Sequence, residues 1–188
     1  MGNLGKPANA SVARQERRAN LVAAALALIG AEVGPEFDPV HSPLSPVDVV
    51  MVAGSPWLSD GLERDFSKNE SGYRKIGGGA NSPGMAYFFR SAGTLTHYLK
   101  RQGFYIPRGA ESPSIGMACF LDWDDRGRFN FTPDRSGIIV GTHDGQITDI
   151  VVAIKKDAFK HTGYIVNKIN LTPGDEWDRA IIGHSDLP

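Results

Sequence analysis

The sequence predicts an α+β domain, with N-terminal helices packed on one side of a C-terminal antiparallel sheet. Before residue 103, helix caps, helix stops and apolar residues at helical spacing predict helices. From Ile115 onward, short runs rich in branched and aromatic residues alternate with turn residues, which favours strands. At 188 residues, the chain is long enough for one domain and short for two. We therefore expect a flexible terminus over 1–10 and a single domain over 11–188.

The first helix is predicted from about residue 12 to 30, with Ser11 as its cap and Gly30 as its stop. An alternative is that the arginines at 14, 17 and 18, followed by an apolar run, imitate an export signal. Glu16 and Asn20 are unusual in such a signal, so we favour the helix. Its predicted buried side is Val12, Leu21, Val22, Ala25, Leu26 and Ile29.

A short buried helix is predicted to begin at Ser45, whose hydroxyl can cap the free amides of the first turn. Pro46 fits the first helical position, where no backbone N–H is needed. Asp48 suits the positive end of the helix dipole. We expect this helix to end at Gly54-Ser55-Pro56.

The polar stretch over 57–81 is predicted to be a long surface loop with one helical turn around Leu58–Phe66. Its glycine run at 77–79 lacks the lysine and hydroxyl of a phosphate-binding loop. Further helices are predicted over Met85–Ser91 and over Leu95–Gln102, the latter ending at Gly103. The predicted strands are Ile115–Trp123, Gly137–Gly141, Gln146–Ile154, Gly163–Ile169 and Ala180–His184, with a hairpin turn at Asp144-Gly145.

Composition excludes several classes of function. A net charge of −1 gives no electrostatic basis for binding nucleic acid. Cys119 is the only cysteine, which excludes an internal disulfide framework and a cysteine-rich zinc site. The histidines lack zinc-ligand spacing, so we expect no metal and no cofactor. No stretch approaches the roughly 20 apolar residues of a membrane span, and the oligomeric state stays open.

A series of short motifs, taken in chain order, resembles one known family. The motifs are Ala24–Val33, Phe37–Pro39, Pro46–Val50, Ser82–Gly93 with its Phe88-Phe89-Arg90, Ile115–Trp123, Arg135–Val140 and Ile182–His184. They are similar to the NlpC-type papain-like hydrolases of bacterial cell walls, and most similar to an uncharacterised exported branch. The resemblance implies a papain-like fold over about residues 20 to 185. It also implies a periplasmic or cell-envelope location.

The departures from that family fall on its catalytic positions. The family's cysteine falls on Pro46, which has no nucleophilic atom, and its general-base histidine falls on Arg135. Arginine stays charged and cannot accept a proton. The orienting polar residue would fall near Asn167. Because papain-like chemistry needs a thiolate, a base and an orienting group, the resemblance implies a frame without its catalytic groups.

Other residues remain candidates for chemistry. Ser45 lies beside the vacated position, although helix capping is the stronger explanation for it. Cys119 has apolar neighbours, which indicates a small buried hydrophobe. His41 lies in the loop before Ser45 and could approach the cleft. As ligand-binding residues we expect Ser45, Asp48 and Arg135, since a guanidinium can hold a peptide carboxylate through two hydrogen bonds.

Two functions follow. The first is a catalytically degenerate papain-like domain that binds a peptide, a peptidoglycan fragment or a protein partner in the former active-site cleft. The second is an active peptidoglycan amidase or peptidase of the same fold that uses a displaced nucleophile.

Overall fold

The structure is a computed structural model that describes residues 6–33, 48–76, 92–122, 133–155 and 164–188. Its helices are α1 (Lys6–Ala27), α2 (Asp48–Ile76), α3 (Ala92–Arg101) and α4 (Glu176–Ala180). Its strands are β1 (Glu32–Val33), β2 (Tyr105–Pro107), β3 (Ala118–Leu121), β4 (Arg135–His143), β5 (Gln146–Lys155), β6 (Tyr164–Asn170) and β7 (Ile181–Ser185). The predicted helix at 85–91 lies outside the described residues.

The strands form one sheet in the order β1-β6-β5-β4-β3-β7-β2, and each neighbouring pair is antiparallel. The predicted α+β class is confirmed, as are the strands that became β3 to β7. Strands β1 and β2 were not predicted, because with two and three residues they are too short to show a periodicity. No helix among the described residues is long and apolar enough to cross a membrane.

The hairpin between β4 and β5 turns where the sequence predicts. Asp144 has a φ of 49° and Gly145 a φ of 75°. Positive φ at both central residues defines the turn whose twist matches that of the flanking strands. Aspartate and glycine tolerate this conformation better than most residues do, which is why the signal is readable from the sequence.

Helix α1 differs from its prediction at both ends. It begins at Lys6 and not near residue 12, so Ser11 is not its cap. Leu21 and Ala25 are buried one helical turn apart, as predicted. Three residues of the predicted buried side are instead exposed, namely Val12, Leu26 and Ile29. Only a narrow stripe of the helix therefore contacts the core.

Helix α2 is much longer than the short helix that the sequence predicts. It continues through Gly54-Ser55-Pro56 and through the expected loop to Ile76, with a kink at Asn69, where the backbone is not helical. A proline inside a helix costs about 3 kcal/mol, so packing must offset it. Buried side chains at helical spacing along the polar stretch supply this packing. They are Leu58, Leu62, Phe66 and Tyr73.

Two glycines of α2 mark close contacts rather than helix ends. A Cβ on Gly54 would lie 2.7 Å from Cδ1 of Leu187, near the C-terminus. A Cβ on Gly61 would overlap the Tyr98 hydroxyl of α3. Both glycines let another part of the chain approach the helix axis. Glycine, which in the sequence suggested the end of a helix, thus permits close packing of the helix in the fold.

The sheet separates two apolar clusters. The helix-side cluster joins α1, α2 and α3 to alternate sheet residues, which include Ala118, Phe120, Ile138, Val151, Ala153 and Val166. The opposite cluster takes the intervening positions, which include Cys119, Leu121, Ile139, Ile150, Val152 and Ile181. This alternation assigns each strand residue to one face, and it locates the candidate site below.

The C-terminal segment is attached to α1 by arginines. Arg18 donates from Nε and Nη2 to the two carboxylate oxygens of Asp186, at 2.7 and 2.8 Å. Arg17 donates to the carbonyl oxygen of Leu187 at 3.3 Å. The arginines that could imitate an export signal therefore bind the end of the folded chain.

We expect the Arg18–Asp186 pair to contribute about 1 kcal/mol of coupling energy, because it is bidentate and both side chains are mostly buried. A double-mutant cycle with Arg18→Ala and Asp186→Ala, measured by urea unfolding, gives this energy. The control is the more exposed Arg74–Glu70 pair within α2, for which about 0.4 kcal/mol is expected. A larger coupling for the control pair would contradict the prediction.

Candidate functional site

The predicted nucleophile region is only partly within the described residues. His41, Ser45 and Pro46 lie outside them, and so does the predicted helix cap. Asp48 is the first residue of α2, and the description does not extend to its side chain. The structure therefore neither brings these residues together nor separates them.

Cys119 is sealed inside the protein. It lies on β3, opposite Gly137 of β4 and His184 of β7, and none of its surface is exposed. Burial raises the pKa of its thiol to about 12, so the thiolate is absent near neutral pH. Because the thiolate is the nucleophile in cysteine chemistry, Cys119 is a small buried apolar residue, as its neighbours in the sequence predict.

Arg135 and Asn167 lie on strands that are not adjacent in the sheet. Arg135 pairs with Leu121 across β3 and β4, is 6% exposed, and holds its guanidinium carbon 5.8 Å from the centre of the Tyr164 ring. Asn167 lies on β6, which β5 separates from β4. Arg135 is therefore largely buried, and its expected role of holding a ligand carboxylate stays a prediction.

A polar cluster joins α2 to α3. The Asp65 carboxylate accepts hydrogen bonds from Tyr73 at 2.5 Å and from Arg101 Nε at 3.0 Å. Asn69, where α2 departs from helical geometry, donates to both the side chain and the backbone carbonyl of Asp65. Since these groups satisfy one another, this cluster supports the irregular turn of the helix and leaves no group to a ligand.

A pocket of about 500 Å³ opens on the other side of the sheet, away from α1, α2 and α3. Its walls come from the segment over 108–113 after β2, from the β4–β5 turn, from α4 and from β7. The turn and the segment nearly touch, since a Cβ on Gly145 would lie 3.2 Å from the Ser112 hydroxyl. This pocket is a concave site that no motif in the sequence indicated.

Arg108 holds one wall of the pocket in place. Its backbone N–H donates to the carbonyl oxygen of Ile182 at 3.1 Å, which extends the β2–β7 pairing. Its Nη2 lies 3.0 Å from both carboxylate oxygens of Asp178, and its Nη1 donates to the carbonyl oxygens of Asp178 and Ile181. The positive charge of Arg108 is thereby compensated within the protein.

His184 is the buried polar group of the pocket. It lies on β7 between Cys119 of β3 and Ile106 of β2, and it is 3% exposed. Its Nε2 has no hydrogen-bond partner. Burial lowers the pKa of His184, against the charges of Glu111 and Asp186, which act to raise it. The imidazole is therefore neutral at pH 7, and one of its nitrogens accepts hydrogen bonds.

Glu111 supplies the uncompensated charge. Its side chain is exposed at the wall of the pocket, and within the described ranges its carboxylate has no hydrogen-bond or ion-pair partner. Ser112 also lines the pocket, but no hydrogen bond joins its hydroxyl to His184, so the pair that acyl transfer requires is not formed. Among the described residues, no group of three or more histidine, cysteine, aspartate or glutamate side chains could hold a metal ion.

Sequence reasoning missed this pocket because its walls come from distant segments. Arg108, Glu111 and His184 belong to no shared motif. The one available signal was a histidine inside an apolar strand, at Ile181-Ile182-Gly183-His184, where a buried polar residue calls for a partner. Only the pairing of β7 with both β2 and β3 brings that histidine beside the segment over 108–113.

Comparisons of the chain with protein-family models, with curated proteins and with solved structures gave no match. The fold class consequently rests on the sheet order and the helix packing described above. The papain-like resemblance of the short motifs remains a hypothesis.

Proposed function

We propose that this chain is a binding domain of papain-like descent in a bacterial cell envelope, which holds a peptide or peptidoglycan-type ligand without cleaving it. The observation that supports this proposal best is the state of Cys119. It is the only thiol in the chain, it is fully buried, and burial raises its pKa to about 12. A cysteine hydrolase needs an accessible thiolate.

The residues at the family's catalytic positions agree with this proposal. Proline stands at position 46, where the resemblance calls for the nucleophile. Arg135 stands at the position of the base, and its guanidinium lies against the Tyr164 ring. An arginine in that position can stabilise the sheet but cannot take a proton from a nucleophile.

The pocket beside β7 is the concave site that this function would use. Its volume of about 500 Å³ lies within the usual range for small-ligand sites. Charged and apolar side chains both line it, among them Glu111, Ile147 and Ile181. That mixture suits a short polar segment better than an apolar molecule. Arg135 and Asn167 are not among its lining residues.

Incubation with purified peptidoglycan tests the proposal, with cleavage scored by chromatography of released fragments and binding scored by co-sedimentation. We expect binding without released fragments. Cys119→Ala should leave binding unchanged, because the thiol contacts no solvent.

Cleavage that is lost on Ser45→Ala would overturn the proposal in favour of a displaced nucleophile. Absence of binding to both peptidoglycan and its isolated stem peptides would contradict the proposed binding function. Ser67→Ala provides the matched control, since this serine of α2 is exposed and its hydroxyl donates to the carbonyl oxygen of Glu63 in its own helix.

A further inference from the structure

We propose that the pocket beside β7 binds a primary ammonium group, with His184 accepting one of its hydrogen bonds at Nε2 and Glu111 supplying the opposite charge. This inference deepens the proposed function and rests on it for the view that the ligand is peptide-like. The juxtaposition of a buried imidazole with an uncompensated carboxylate in one pocket is what suggests it.

The first step is the unpartnered nitrogen. His184 is 3% exposed and lines the pocket, yet Nε2 has no hydrogen-bond partner. A buried polar atom without a partner costs about 1–3 kcal/mol. A ligand that donates a hydrogen bond to this atom recovers that cost. The neutral ring accepts at one nitrogen while the other carries the proton, and the proposal assigns the acceptor role to Nε2.

The second step is the charge balance. Arg108 is paired with Asp178 through two contacts of 3.0 Å, so the two charges compensate each other. Glu111 is left as the uncompensated charge among the residues that line the pocket. A cationic group in the pocket is attracted electrostatically by this carboxylate. An anionic group would face Glu111 and Asp178, and would have to displace Asp178 from Arg108.

The third step is the shape of the ligand group. A primary ammonium has three donors and no acceptor, so it can contact an imidazole nitrogen and a carboxylate at the same time. The pocket volume of about 500 Å³ is far larger than an ammonium ion. The amine is therefore one end of a larger molecule, such as an amino acid derivative or a peptide with a free amino group.

Titration with glycinamide at pH 7, where an α-amino group is mostly protonated, tests the proposal. Binding is followed by the ¹⁵N resonances of the histidine rings and by the backbone amides over 108–113. We expect saturable shifts of the His184 ring and of these amides. Acetylglycinamide, which is neutral, and acetylglycine, which is an anion, should both fail to produce them.

Glu111→Gln should weaken glycinamide binding at least about tenfold, because it removes the negative charge that attracts the ammonium group. Glu111 is exposed, so this substitution should leave the fold unchanged. Glu63→Gln removes the same charge from the exposed side of α2 and should leave the affinity unchanged. His184→Gln should also weaken binding at least about tenfold, with the amide spectrum reporting whether the fold is kept. If that variant does not fold, Glu111→Gln alone decides.

Three results would overturn the inference: no saturation by glycinamide, equal binding of acetylglycine, or full affinity in Glu111→Gln. These results are distinguishable from failure of the proposed function. Cleavage of peptidoglycan would remove the binding-only function and leave the glycinamide result standing. Binding of peptidoglycan without any response to glycinamide would support the function and remove the ammonium site.

Discussion

Replacing Gly116 with alanine is expected to lower the free energy of unfolding by about 3 kcal/mol. Gly116 precedes β3 with a φ of +85°, a conformation that costs energy for any residue with a Cβ. A Cβ there would also lie 2.6 Å from the carbonyl oxygen and 2.7 Å from the Cα of Arg18. Because these are backbone atoms of α1, relief requires the helix to move away from the sheet.

Gly103 provides the matched control for this substitution. Its φ is +76°, but a Cβ there would meet nothing within 4 Å. Gly103→Ala should therefore cost about 1 kcal/mol, from backbone conformation alone. Urea unfolding of both variants separates strain from steric overlap. Equal losses of unfolding free energy in the two variants would show that α1 does not pack closely against Gly116.

Asp65→Ala is expected to lower the free energy of unfolding by about 3 kcal/mol. The substitution leaves the Tyr73 hydroxyl without its acceptor, and Tyr73 is fully buried. It also leaves Arg101 without this partner and removes the side-chain acceptor of Asn69, where α2 is irregular, while the backbone acceptor remains. The helix pair formed by α2 and α3 should loosen as a result.

Asp60→Ala is the control on the same helix. The Asp60 carboxylate lies 3.9 Å from Arg64, and both side chains are largely exposed, so the loss should fall within the error of a chemical denaturation curve. Tyr73→Phe should reproduce only part of the Asp65→Ala loss, since it removes one donor and leaves the carboxylate paired with Arg101. An Asp65→Ala loss no greater than that of Asp60→Ala would contradict the role of the cluster.

The same carboxylate makes part of the stability depend on pH. Burial acts to raise the pKa of Asp65, but hydrogen bonds from Arg101 and Tyr73, with the charges of Arg101 and His97, lower it below its ordinary value of 3.8. The unfolded chain therefore binds the proton at a higher pH than the folded one. The stabilisation is fully present above the unfolded pKa and is lost as pH falls through the folded pKa.

This pH dependence is measured as the difference in unfolding free energy between the wild type and Asp65→Asn. The difference should shrink below about pH 4. His97 does not cancel from this difference at higher pH, because the charge of Asp65 acts to raise the pKa of His97, against burial and Arg101, and is absent in Asp65→Asn. A difference that stays unchanged down to pH 2 would show that the carboxylate is not held in its ionised form by the cluster.

Local chemistry made much of the fold predictable. Gly103 has the positive φ that ends α3 where the sequence places its stop. Asp144 and Gly145 form the predicted turn, and the runs of branched residues beyond Ile115 became strands. In each case the decisive interaction lies within a few residues along the chain, so the sequence contains it.

Helix α2 shows where local chemistry fails. Gly54 and Pro56 are helix breakers in isolation, and the polar stretch that follows resembles a loop. Contacts with Leu187 and Tyr98, far away in the chain, turn the glycines into packing sites. Tertiary burial of the apolar side of the helix outweighs the local cost of the proline.

Residue type and short-range spacing were enough to predict the α+β class, the positions of β3 to β7 and the buried state of Cys119. Long-range packing sets the extent of α2, the burial of Arg135 and the pocket at His184. His184, Glu111 and Arg108 line the same pocket because β7 lies between β2 and β3. That order follows from packing of the whole chain and is visible in no single stretch of it.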